Sequence, residues 1–97
     1  MRFLSLQDFA PHVNETFHVA VGDSRTDFML VEVKSLPARV VPGLVRAPFS
    51  LTFHHGAAIV FPQKVYPMRH DSLGEFGIFL VPIARNRDGF LYQAIFN

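Results

Sequence analysis

Residues 71–97, DSLGEFGIFLVPIARNRDGFLYQAIFN, read as one long hairpin: an apolar strand from Glu75 to Ala84, a turn ending in Asp88-Gly89, and a returning strand from Phe90 to Phe96. Asp-Gly between two β-rich apolar runs is a strong short-range hairpin signal, because Gly accepts the positive φ that a tight turn demands. On the first strand Phe76, Ile78 and Leu80 share one face, and Gly77, Phe79, Val81 and Ile83 share the other. Both faces are apolar, which predicts a strand covered on both sides or set in a strongly curved sheet. On the second strand Leu91 and Ile95 point one way, and Phe90, Tyr92, Ala94 and Phe96 the other. Pro82 has no N–H to give to a ladder, so it marks an edge position or a bulge.

The same alternation recurs upstream. From Thr16 to Val21, Phe17, Val19 and Val21 face inward while Thr16, His18 and Ala20 face outward. Gly22-Asp23-Ser24 is a turn signal, and Phe28 to Ser35 returns with Met29, Val31 and Val33 inward and Glu32 and Lys34 outward. Phe49 to His55 carries Phe49, Leu51 and Phe53 on its inner face, with Ser50, Thr52 and His54 outward. Ile59 to Pro62 is a short strand or a packed loop. Gln63 to His70 is a further strand, which Pro67 demotes towards an edge. At the start, Ser5-Leu6-Gln7-Asp8 has the form of a capping box, with Leu6, Phe9, Ala10 and Val13 at helical spacing. Pro11 limits this helix to one or two turns, because its missing N–H would have bonded back to Gln7. Phe9 is then placed to plug one end of the fold. The sum is an all-β, mainly antiparallel domain over residues 1–97. It is a small barrel or sandwich of about six strands with one short N-terminal helix.

Composition narrows the function more than any motif does. A hydrophobic content of 49% with eleven Phe excludes disorder, and no apolar run is long enough for a transmembrane helix. The first residues lack the apolar core of a signal peptide, and the chain has no Cys, so the expected setting is cytoplasmic, without disulfides or thiolate sites. A net charge of +1 argues against nucleic acid as a partner, since phosphate binding needs clustered cations. Mean hydropathy is +0.23, high for a small domain with little interior, so part of the apolar surface is expected to face a protein partner or a second subunit.

Residues 36–48, LPARVVPGLVRAP, are the most irregular stretch, with three prolines and a glycine that forbid a regular ladder. A connection of this kind is often functional. Val40, Val41 and Leu44, rimmed by Arg39 and Arg46, are the expected partner-binding surface, and the competing reading folds the valines back over an open barrel end.

Chemistry is sparse. His54-His55 cannot chelate one ion from a regular strand, since neighbours project to opposite faces. His18, His54 and His70 converge only if their strands are neighbours. No acidic residue stands at ligand spacing with them, so neither a metal nor another cofactor is expected. Ser72 beside His70-Asp71 is not a triad, and His70 to Gly74 makes better sense as a turn. The leading expectation is a non-enzymatic interaction or assembly module, with a small apolar-ligand-binding barrel as runner-up. A small hydrolase or metalloprotein using His54, His70 and Ser72 is the third reading.

Several pieces together resemble a family of small bacterial proteins of unknown function. They are Leu6 to Phe17 (LQDFAPHVNETF), Ala47 to Phe53 (APFSLTF), Gln63 to Gly74 with Tyr66, His70 and Leu73 at fixed spacing, Phe79 to Ile83 (FLVPI), and Tyr92 to Asn97 (YQAIFN). The resemblance spans nearly the whole chain and departs at His54-His55-Gly56, where the family carries a basic residue and a Gly-Pro turn. It implies a compact β domain and carries over no catalytic residue. It also implies a setting beside phage-tail-like collar proteins, and with it an assembly or accessory role.

Overall fold

The computed structural model describes residues 4–37 and 47–96. Six strands, β1 (Thr16–Val21), β2 (Ser24–Ser35), β3 (Phe49–His55), β4 (Lys64–His70), β5 (Gly74–Asn86) and β6 (Gly89–Phe96), close into a barrel in the order β1-β2-β3-β6-β5-β4. All neighbours are antiparallel. Closure removes the free edges that a sandwich would leave. It decides between the two architectures that the alternation alone allowed.

The inner faces supply the core: Phe17 and Val19 from β1, Phe28 and Leu30 from β2, Phe49, Leu51 and Phe53 from β3, Tyr66 and Met68 from β4, Ile78 and Leu80 from β5, Tyr92 and Ala94 from β6. The interior is occupied by these side chains, with rings meeting at centroid distances such as 5.4 Å (Phe17–Phe53) and 5.1 Å (Phe28–Tyr92). At one end α1 (Leu6–Phe9) runs into a 3-10 turn at Ala10–His12. The Asp8 carboxylate accepts from the Ser5 backbone N–H at 2.7 Å, which holds the start of the helix. Pro11 falls in the 3-10 turn, where no N–H is needed. Phe9 is fully buried and touches the rings of Phe17, Phe49, Phe76 and Phe96, so it is the plug that its spacing predicts. The other end is closed by the loop after β3. Ile59 to Pro62 forms no strand: Phe61 packs on His55, Phe28 and Tyr92, and its N–H donates to the Tyr92 hydroxyl at 3.0 Å.

Four details differ from the sequence reading. β2 starts at Ser24, not Phe28, and its inward residues are Phe28, Leu30 and Val33 rather than Met29, Val31 and Val33. The register shifts between Leu30 and Glu32, and this bulge places Val31 and Glu32 against a single partner, so the parity flips halfway along the strand. A strict period of two cannot describe such a strand. In the long hairpin the turn is Arg87-Asp88, which keeps negative φ, while Gly89 takes φ 133° at the start of β6. Pro82 does mark a bulge, between Pro82 and Ala84. Pro67 is not on an edge. It lies where the β1–β4 ladder, held only by His18–Arg69 and Val19–Met68, stops.

The outer face of β5 is exposed at Gly77, Phe79 and Ile83 and half-buried at Val81. Closure of the barrel gives the strand its curvature, the second of the two expected explanations for apolar residues on both faces.

Candidate functional site

The histidines are sorted by the barrel into separate places. His70, at the end of β4, points inward beneath Phe17, with ring centroids 4.5 Å apart. His12 leaves the 3-10 turn beside it, at 4.4 Å between centroids. Asn14 adopts φ 71° and donates its N–H to the Leu30 carbonyl, which turns the chain from the helix into β1 and sets Glu15 between the two rings. One oxygen of Glu15 then lies 2.8 Å from His12 Nδ1 and 2.8 Å from His70 Nε2. The hydrogen bond from His70, and next the one from His12, hold the Glu15 carboxyl below its usual range.

These three groups have the donor types and spacing of a metal centre, with ligand atoms within 4.8 Å of one another. The hydrogen bonds around His70 argue for a different role. Its Nδ1 accepts the Ser72 N–H at 3.0 Å, so in the neutral ring the proton sits on Nε2 and is donated to Glu15. A metal at Nε2 would need that lone pair free and a donor at Nδ1, the reverse of what the backbone presents. The trio is a hydrogen-bonded clasp between the N-terminal segment and β4. Nothing in the sequence reading singled out His12 or Glu15. The H-x-x-E spacing was the available signal, but its meeting with a ring from β4 is tertiary.

His55 closes the opposite end in the same manner. Its Nδ1 accepts the Ala57 N–H at 3.3 Å and its Nε2 donates to Thr26 Oγ1 at 2.6 Å. Burial, ahead of the His54 charge, pushes its pKa below the ordinary value. His54 points outward, and His18 is paired with Asp27 at 2.7 Å. His18, His54 and His70 therefore do not converge. Ser72 meets His70 through its backbone N–H, and this hydrogen bond sets no hydroxyl against a base. Arg39, Val40, Val41, Leu44 and Arg46, the expected contact residues, lie outside the described residues.

The second feature is apolar. On the outer face of β4–β5–β6, Val65, Phe79, Ile83 and Ile95 are 61%, 49%, 47% and 56% exposed. Val65 and Phe79 are direct cross-strand partners, and Val81, next along the same face, lies opposite Gln93. Ile95 is two residues further on that face of β6.

The sequence model of one protein family matches residues 4–96. The chain belongs to the family described as "Domain of unknown function (DUF6916)". Searches of curated proteins and of solved structures found no match. The family thus accounts for the whole barrel and brings no activity with it. Among the described residues, no helix is long and apolar enough to cross a membrane.

Proposed function

We propose that the protein is a non-enzymatic interaction module, an accessory of a larger assembly, that pairs with a second copy of itself through the outer face of β4–β5–β6. The supporting observation is the band of Val65, Phe79, Ile83 and Ile95, all about half exposed on one face, whereas the other exposed large apolar residues among those described, Met29, Ile59 and Val60, lie elsewhere. Together they offer on the order of 400 Å² of apolar side chain, at the scale of the largest patch that a monomer carries. A stable interface hides about 800 Å² per partner, with a mostly apolar core. The band has the size of that core. A net charge of +1 puts little repulsion between identical copies.

The test is light scattering coupled to size exclusion over a range of protein concentrations, on the native chain and on Phe79→Lys/Ile95→Lys. The expected result is a dimer that the double substitution converts to a monomer with unchanged circular dichroism. A native chain that stays monomeric throughout, or a dimer indifferent to both substitutions, refutes the proposal.

A further inference from the structure

The strand registers line up three rows across the outer face of β2, β1, β4 and β5. The first row is charged: Asp27 pairs with His18, His18 with Arg69, and Arg69 with Glu75. The second is made of small residues after its first member: Arg25 pairs with Ala20, and Pro67 with Gly77. Ala20 faces Pro67 one step beyond the point where the β1–β4 ladder stops. The third row is the apolar pair Val65 and Phe79. The small residues beside the charged row leave a trench, an open groove of about 640 Å³ lined by Ala20, Pro67 and Gly77 and reaching Met68 and Phe76 where the β1–β4 ladder stops.

Three inter-strand steps of about 4.8 Å make the trench about 14 Å long, the length of roughly five extended residues. The charged row runs the length of the trench, while the apolar wall, Val65, stands only at its β4–β5 half, which suits an extended segment with an apolar side chain at that half. The two ends differ in sign. Arg25 lies at the β2 end and Glu75 at the β5 end, and among the described residues neither makes an ion pair. His18 and Arg69, between them, are engaged with Asp27 and Asp71.

We propose that this trench binds an extended segment of a partner protein, about five residues long, with a carboxylate at Arg25, a cation at Glu75 and apolar side chains against Val65. Gly77 lines the trench. A Cβ there would approach Val65 Cγ1 to 3.3 Å, so a branched side chain fills the trench without demanding a backbone that L residues avoid. The trench shares Val65 and Phe79 with the dimer face, but Arg25 and Glu75 lie outside that face, so the charge reversal at Arg25 tests the trench separately from the dimer.

The probe is an array of pentapeptides with Glu and Lys fixed at the two ends and the inner positions varied over Val, Ile, Leu, Thr and Phe. Binding is measured by fluorescence anisotropy on the full chain. Array members with one acid and one base should bind, and peptides with two Lys ends should bind about tenfold more weakly, the scale of one charge-assisted contact. Arg25→Glu should reverse that order, and Gly77→Val should abolish binding with the melting temperature kept. Absence of binding by every array member overturns the proposal. So does an order that Arg25→Glu leaves unchanged, or complete displacement of the peptide by hexanoate, which would mark a small-carboxylate site. If Gly77→Val fails to fold, the charge reversal at Arg25 still decides the question.

Discussion

Among the described glycines, Gly89 leaves least room for a side chain. It sits at φ 133°, and a Cβ built on it would lie 2.0 Å from the His55 carbonyl oxygen and 2.8 Å from the Gly56 Cα. Both neighbours are backbone, so relief requires β6 to move away from the end of β3, against the His55–Phe90 pairing beside it. The backbone conformation alone costs a side-chain-bearing residue about 1–3 kcal/mol, and overpacking adds a similar amount. Gly89→Ala is therefore expected to lose about 4 kcal/mol, much of the ~5–15 kcal/mol that holds a domain together. Two other glycines serve as controls. Gly22 has φ 59° but nothing within 4 Å, so Gly22→Ala should cost about 1 kcal/mol through the backbone alone. Gly56 has an ordinary 3.7 Å contact with the Asp88 carbonyl and no positive φ, so Gly56→Ala should fall within about 0.5 kcal/mol of the native chain. Urea unfolding followed by circular dichroism gives all three values, and each 1 kcal/mol should move the melting temperature by about 4–8 °C. A Gly89→Ala protein within 1 kcal/mol of the native chain, or one no worse than Gly22→Ala, would show that the approach of β6 to β3 is not as tight as described.

Two further outcomes follow from the ends of the barrel. Phe9→Ala removes a ring in contact with four others and should cost about 3–5 kcal/mol. It should also expose the segment before β1 to limited proteolysis well below the unfolding midpoint. Stability should fall in two stages with acid. Folded His55 stays neutral below its ordinary 6.5, so the unfolded chain binds more protons and stability drops as pH falls below about 6.5. Glu15, held below its ordinary 4.5, contributes stability that is lost only below about that pH. Urea midpoints from neutral to acidic pH should lose the upper stage in His55→Gln and the lower in Glu15→Gln.

Much of the fold was legible because its cause is local. Alternation of Phe17, Val19 and of Phe49, Leu51, Phe53 is set by the pleat, and Pro11 stops the helix through its own missing N–H. The errors fall where register is decided by a partner. The bulge after Leu30 exists only against Thr52 and Phe53 of β3, so Met29 could not be recognised as an outward residue from its own strand. The clasp of His12, Glu15 and His70 joins positions 55 residues apart, and the end of β4 that supplies His70 is brought there by barrel closure. Ser72 looked like a possible nucleophile because sequence shows adjacency. It is the N–H of Ser72, not its hydroxyl, that His70 uses.

The outer face of β5 carries the wider lesson. From the sequence, the apolar face of Gly77, Phe79, Val81 and Ile83 is expected either to be covered or to sit in a strongly curved sheet. The closed barrel supplies the curvature, and Phe79 and Ile83 stay about half exposed. Periodicity reports that a face avoids water. It does not report whether the cover comes from the same molecule. The barrel interior is filled by the opposite face. Large apolar side chains half exposed on a surface invite association. Such contact with a second chain does not depend on any catalytic group. It makes Phe79 and Ile95 positions where substitution should change association and leave folding untouched.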